Sequence, residues 1–160
     1  MESIIVVGVG DPYRRDDGVG PAVVAKLRER DLTEAVLATS LGRTDELIKL
    51  WDGADLAIVV DAMRASPAHP GRVHRLAVQP GSAERVRAAG SHGMDLGAAV
   101  ELAREQGRLP NRLVIYAVEA ADLAYGVGLS PTVETAVEHL ADEVTLVVWA
   151  GRRARPAALR

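Results

Sequence analysis

Hydrophobic and polar positions divide the chain into short apolar runs and longer amphipathic stretches. The apolar runs are rich in β-branched and aliphatic residues, and glycine or polar residues close them. This pattern is typical of strands that are buried on both faces of a mostly parallel sheet. It predicts strands near residues 4–10, 35–39, 56–61 and 113–118.

The amphipathic stretches between these runs predict helices. Pro21 can occupy the first turn of one helix, Thr44 is placed to cap a second, and Ser130-Pro131 opens a long last helix. A further helix is predicted at residues 94–106, after a Ser-His-Gly motif. The alternation predicts an α/β fold, a three-layer α/β/α sandwich around a twisted, mostly parallel sheet of about five strands.

One predicted strand breaks the parallel pattern. Residues 72–78 are a strand candidate that follows the preceding strand after a short, proline-containing connection. A parallel crossover usually needs a dozen or more residues. We therefore expect this strand to run antiparallel, at an edge of the sheet.

Composition narrows the class of protein. With 160 residues, of which 48% are apolar and 26% charged, the sequence predicts one domain over residues 1–150 and a basic, disordered tail at 151–160. The absence of cysteine excludes thiolate metal sites and cysteine nucleophiles. The net charge of −3 and the aromatic fraction of 3% argue against a nucleic-acid partner. Without a signal-peptide pattern or an apolar run of membrane length, we expect a cytoplasmic protein without membrane contact.

Three motifs fall at the carboxyl ends of predicted strands or at the start of a helix, where ligands bind in open α/β sheets. They are the glycine-rich stretch 8–20, Asp61-Ala62, and Ser91-His92-Gly93. The glycine-rich stretch does not fit a dinucleotide site, because Tyr13 stands where the third glycine of G-x-G-x-x-G belongs. Patterns for a phosphate-binding loop, a serine nucleophile elbow and H-E-x-x-H are also absent from the sequence.

The remaining candidates are two carboxylates and one imidazole. Such a set can bind a divalent ion such as nickel or zinc and leave coordination positions open for another molecule. The alternative is structural, since an Asp at a strand end often caps a turn and a His before a helix is often a cap or a surface residue. Composition and spacing leave both interpretations open.

The chain resembles the [NiFe] hydrogenase maturation proteases, a family of aspartyl-type endopeptidases, over roughly residues 3 to 148. The resemblance rests on several motifs together rather than on one. They are Gly8-Val9-Gly10 with Asp16-Asp17-Gly18-Val19-Gly20, Val59-Val60-Asp61-Ala62, Ser91-His92-Gly93, Tyr116-Ala117-Val118-Glu119 and Gly128-Leu129-Ser130-Pro131.

The resemblance implies an enzyme that removes a C-terminal peptide from the precursor of a [NiFe] hydrogenase large subunit after nickel insertion. The family's metal-binding residues fall on Asp17, Asp61 and His92, which are therefore the predicted catalytic and metal-binding set. The resemblance also implies that the nickel belongs to the substrate, so we expect no permanent cofactor. The sequence does not fix the oligomeric state, although we favour a monomer.

Two alternatives to this function stay open: a self-contained zinc-type metallohydrolase, and a non-catalytic module or chaperone that senses metal.

The sequence departs from the family pattern at two positions: the family usually has Asn at the position of Asp11 and often Glu at that of Asp17. We expect Asp11 to cap its own turn and Asp16 to cap the helix or orient the loop.

Other ionisable residues have less defined predictions. Glu119 lies at a strand end, where it either lines the cleft or has a structural role. We expect His69, His74 and His139 to be surface or strand residues without matching partners.

Overall fold

The computed structural model describes residues 2–79, 85, 86 and 93–153, and this part of the chain contains five strands and four α-helices. The strands are β1 (Ile4–Val9), β2 (Val36–Ser40), β3 (Leu56–Met63), β4 (Val73–Ala77) and β5 (Arg112–Glu119). The helices are α1 (Val19–Glu29), α2 (Thr44–Trp51), α3 (Gly93–Glu105) and α4 (Pro131–Arg153).

The strands form a single mixed sheet in the order β2-β1-β3-β5-β4. The first four strands in this order pair in parallel, and β4 pairs antiparallel with β5 at the edge. Both the parallel sheet and the antiparallel edge strand predicted from the sequence are therefore confirmed.

Helices cover the sheet on both faces, which gives the predicted three layers. One core lies between the sheet and the helix pair α1 and α4, with Leu27, Tyr116 and Leu140 among its buried residues. The other lies between the sheet and the pair α2 and α3, with Trp51 and Leu96 among its buried residues. Two separate apolar faces explain why β1 and β3 consist almost entirely of buried aliphatic residues.

Details at the helix ends differ from the predictions. Thr44 does not cap α2, because Arg43 holds the cap position and the Thr44 hydroxyl donates instead to the carbonyl of Asp95, at 3.2 Å. Helix α4 extends to Arg153, and residues 154–160 of the predicted tail lie outside the described part of the chain. In the described residues, no helix combines the length and the apolar character needed to cross a membrane.

Candidate functional site

The strand order creates a crevice between the carboxyl ends of β1 and β3. From β1 the chain moves to β2 on one side and then returns past β1 to β3 on the other. Connections leaving two such strands run to opposite faces of the sheet, and ligands bind where they separate. Asp17 follows β1 in a short 3-10 turn (Arg15–Gly18) that contacts β3, and Asp61 lies within β3 near its end.

Glycines hold the 3-10 turn and the start of α1 against the strands. A Cβ atom on Gly20 would lie 2.5 Å from the carbonyl oxygen of Val60 and 2.6 Å from the amide nitrogen of Val9. Gly10 has a φ of +139°, and a Cβ there would overlap the carbonyl oxygen of Asp17. The glycine-rich motif therefore packs backbone against backbone and thereby fixes the position of Asp17.

Both predicted carboxylates are buried at this edge, each with 1% of its surface exposed. Asp17 Oδ2 accepts a hydrogen bond from the backbone N–H of Asp11 at 2.8 Å. Asp61 Oδ1 accepts one from the N–H of Ala62, also at 2.8 Å. Charged carboxylates are costly to remove from water unless hydrogen bonds or cations stabilise them. Two buried carboxylates, one in the turn after β1 and one near the end of the adjacent β3, favour the binding of a positively charged group.

Asp16, next to Asp17, organises the loop that follows β5. Its Oδ2 accepts hydrogen bonds from the N–H groups of Ala121 and Asp122 and from the Ser130 hydroxyl, and its Oδ1 accepts one from the Ser130 N–H, at 2.7–3.0 Å. Burial opposes ionisation, but the bonds from Ser130, Asp122 and Ala121 outweigh it and lower the pKa of Asp16. Asp16 was predicted either to cap the helix or to orient the loop; the hydrogen bonds support the second role, and the loop they hold is the one after β5.

Asp11 caps its own turn, as predicted. Its Oδ1 accepts a hydrogen bond from the N–H of Tyr13 at 2.8 Å, and its carbonyl accepts one from the N–H of Arg14 at 3.1 Å. This is the local side-chain-to-backbone pattern by which Asp stabilises turns that contain proline.

Glu119 is buried at the end of β5 and pairs with the half-exposed side chain of His74. Its Oε2 lies 2.8 Å from Nε2 of His74, and its Oε1 accepts a hydrogen bond from the N–H of His69 at 2.9 Å. The bonds from His69 and His74 lower the pKa of Glu119. His74 is an exposed strand residue, as predicted, but it does have a partner, because antiparallel pairing of β4 with β5 places it opposite Ala117, two residues from Glu119 on the same face. That register could not be derived from the sequence, whereas His139 is exposed on α4 as expected.

A small cavity of about 30 Å³ separates Asp61 from His74. Asp61 and His74 both pair in register with Ala117, from β3 on one side and β4 on the other, so the short Ala117 side chain leaves space between them. The volume is enough for about one water molecule. Apolar side chains form the other walls, namely Leu76, Val86, Leu96, Ile115 and Ala117.

His92, the third predicted site residue, lies outside the described residues, immediately before the start of α3 at Gly93. Its placement beside Asp17 and Asp61 stays a prediction. Within the part of the chain that the structure describes, no cluster of three or more His, Asp or Glu side chains is arranged to hold a metal ion. Asp17 and Asp61 alone therefore provide an incomplete ligand set.

Comparison with known proteins shows the family and the fold of this chain. Residues 21–146 match the family model described as hydrogenase maturation protease. The hydrogenase 2 maturation protease of Escherichia coli (strain K12) is 27% identical over 143 residues, which cover 88% of this chain and 87% of that protein. The solved structure of the hydrogenase maturating endopeptidase HybD from E. coli has a TM-score of 0.75 at 25% identity, covering 93% of each chain. The [NiFe] hydrogenase maturation protease HybD from Thermococcus kodakarensis shares the fold, with a TM-score of 0.73 at 18% identity over 91% of this chain and 99% of that one.

Proposed function

Because the chain belongs to the hydrogenase maturation protease family, we propose that it removes a C-terminal peptide from the nickel-loaded precursor of a [NiFe] hydrogenase large subunit. The observation that supports this most strongly is the placement of two buried carboxylates beside adjacent parallel strands: Asp17 lies in the 3-10 turn that follows β1, and Asp61 lies near the end of β3. Their crevice lies where the fold places ligands.

In this proposal the nickel is part of the substrate. Asp17 and Asp61 provide oxygen donors, and His92 is the predicted imidazole donor. Two carboxylates and one imidazole leave coordination positions empty on a divalent ion, and ligands from the precursor would fill them. The complete metal site would then exist only in the complex between the protease and the loaded precursor, so nickel insertion would be the signal for cleavage.

The proposed reaction is hydrolysis of one peptide bond. Water supplies the hydroxyl that adds to the carbonyl carbon and the proton that leaves with the new amino terminus. The fold favours an exposed, extended substrate segment, because the crevice opens at the sheet edge among loops rather than inside a closed cavity.

The test is the intact mass of a cognate precursor, with and without nickel, before and after incubation with this protein. Wild-type protein is expected to shorten the loaded precursor alone, and Asp61→Asn and His92→Ala are expected to abolish shortening. Asp45→Asn is the matched control. Asp45 is 65% exposed on α2, so this variant should process the precursor normally.

The alternative functions give different results. Cleavage that requires zinc bound to the protease, and that does not depend on nickel in the precursor, would indicate a self-contained metallohydrolase. Tight binding of the loaded precursor without any mass change would indicate a metal-sensing binding module. Either result would overturn the proposal.

A further inference from the structure

Three large apolar side chains are exposed beside the crevice. Tyr13 is 69% exposed, Tyr125 is 85% exposed and Val127 is 75% exposed. Tyr13 belongs to the loop that ends in Asp16 and Asp17, and the other two belong to the loop after β5. We call these three residues the tyrosine ledge.

Backbone hydrogen bonds hold the two loops of the ledge together. The N–H of Gly126 donates to the carbonyl of Tyr13 at 2.9 Å, and the N–H of Arg15 donates to the carbonyl of Gly126 at 3.0 Å. Arg14 and Gly126 pair in parallel, which places Tyr13 and Tyr125 side by side. Arg15 has a φ of 46°, a conformation that residues other than glycine rarely adopt. The ledge therefore has a defined backbone before any partner binds.

The composition makes this exposure unusual. The chain has three Tyr, two Trp and no Phe, and two of the three Tyr side chains lie on the ledge. Tyrosine is enriched at the centres of protein interfaces, since its ring buries much apolar area while its hydroxyl keeps a hydrogen bond. Adjacent exposed aromatic and aliphatic side chains indicate a surface that a partner covers.

A pocket of about 480 Å³ continues the ledge along the loop after β5. Its walls have small or aliphatic side chains, and Arg64 is its charged residue. Arg64 follows β3 directly, three residues after Asp61, and forms no ion pair within the described residues. The pocket is lined by Arg64, Ala65, Ala68, Ala120, Ala121, Leu123 and Ala124.

We propose that the tyrosine ledge and the Arg64 pocket are the docking surface for the hydrogenase large-subunit precursor. The ledge takes apolar side chains of the precursor, and the guanidinium of Arg64 takes a carboxylate from the same segment. Arg64, which forms no ion pair within the described residues, offers a positive charge for such a carboxylate. Hydrogen bonds from Ala121 and Asp122 to Asp16 make the surface continuous with the Asp17 loop, where the proposed function places the precursor. The inference rests on the proposed function, because it assumes that the precursor is the substrate.

The experiment measures KM and kcat for cleavage of nickel-loaded precursor. Tyr13→Ser combined with Tyr125→Ser is expected to raise KM about tenfold or more with kcat nearly unchanged, as loss of interface anchors does. Tyr13 takes part in the hydrogen bonds between the two loops through its backbone and not through its side chain. The substitutions therefore leave these hydrogen bonds intact. Arg64→Gln is expected to raise KM about threefold and to weaken its dependence on salt.

The matched control is Leu146→Ser combined with Trp149→Ser. These apolar side chains are 62% and 45% exposed on α4, away from the loops of the crevice, and KM should not change. Unchanged KM in the ledge variant, or an equal rise in the control, would overturn the docking surface. Circular dichroism verifies that each variant folds, and Tyr125→Ser alone replaces the double variant if that one does not.

Direct binding separates failure of this inference from failure of the proposed function. If wild-type protein binds precursor without cutting it, the proposed function fails, and the ledge is tested by the dissociation constant with the same variants. A dissociation constant about tenfold weaker in the ledge variant then supports the docking surface, and an unchanged one overturns it. A precursor that is neither bound nor cut overturns both.

Discussion

Two groups of charged residues in this protein have similar chemistry and very different surroundings. On the face formed by α1 and α4, Lys26 and Arg30 pair with Glu138 and Asp142 at 2.7–3.0 Å, with side chains at least 31% exposed. At the carboxyl edge of the sheet, by contrast, Asp16 and Glu119 are at most 2% exposed as whole residues.

The difference lies in what the carboxylates bind. The exposed group pairs charge with charge on the surface, where water and salt screen the attraction, so it contributes little to stability. Asp16 and Glu119 accept hydrogen bonds from backbone N–H groups that are distant in sequence. Buried carboxylates therefore determine the paths of the loops around the crevice, whereas the surface pairs determine no backbone path.

Close backbone packing at the carboxyl edge predicts the largest effect. Gly20→Ala is expected to destabilise the protein by about 3 kcal/mol, because the added methyl meets backbone atoms of Val60 and Val9 that cannot turn away. Gly151→Ala is the control in α4, where the nearest atoms are side-chain tips of Leu56 and Ile4 at 3.3 and 3.5 Å. The free energy of unfolding of Gly151→Ala should lie within about 1 kcal/mol of the wild-type value, because alanine has a higher helix propensity than glycine. Urea unfolding measures both, and equal losses would contradict the packing argument.

Asp16 and Asp142 are a buried and an exposed carboxylate that the same substitution can compare. Asp16→Asn replaces one acceptor oxygen with an NH2 group, which would then face other donors, namely N–H groups or the Ser130 hydroxyl. We expect the free energy of unfolding to fall by about 3 kcal/mol. Asp142→Asn, at the exposed Arg30 pair, should change the free energy of unfolding much less. Chemical denaturation of both variants in one buffer checks this, and a comparable loss for Asp142→Asn would refute the distinction.

Acidification is expected to have a smaller effect, through Glu119. Hydrogen bonds from His69 and His74 lower its pKa in the folded state, so its contribution to stability is present above the ordinary Glu pKa of about 4.3. That contribution is lost as the pH falls through the lowered folded-state pKa. Glu119→Gln should flatten the fall in stability between about pH 5 and pH 3, measured by urea unfolding. An unchanged slope in the variant would show that Glu119 is not responsible.

Asp11 gives the smallest expected effect. Asn keeps the side-chain oxygen that accepts the Tyr13 N–H, so Asp11→Asn should retain both the turn and processing activity. Intact-mass measurement of precursor cleavage checks the second part. Loss of processing would show that the Asp11 charge contributes to the site.

Much of the fold follows from the hydrophobic pattern. The strands of the parallel part are buried aliphatic runs, and the short connection before residues 73–77 correctly predicted the antiparallel edge strand. The burial of Val133, Val137 and Leu140 on one side of α4 follows from helical spacing in the same way. Local patterns suffice here because each element buries its own apolar face.

The candidate site was less predictable, because it depends on long-range contacts. The sequence indicates Asp17 and Asp61 through their positions after or within apolar runs, and the switch of strand order between β1 and β3 explains why both lie at the same edge of the sheet. The pairing of His74 with Glu119 depends on the register of β4 against β5. The four hydrogen bonds to Asp16 come from loops more than a hundred residues away. Neither contact leaves a local pattern.

The requirement for nickel in the precursor can be tested by mixing two forms of one precursor in the same tube with wild-type protein. The nickel-loaded form has natural isotope abundance, and the nickel-free form is labelled with heavy nitrogen, so that intact mass distinguishes their products. Only the unlabelled, nickel-loaded form is expected to lose a C-terminal peptide, and Asp61→Asn is expected to leave both forms intact. Equal cleavage of the two forms, or normal cleavage by Asp61→Asn, would contradict the proposed function.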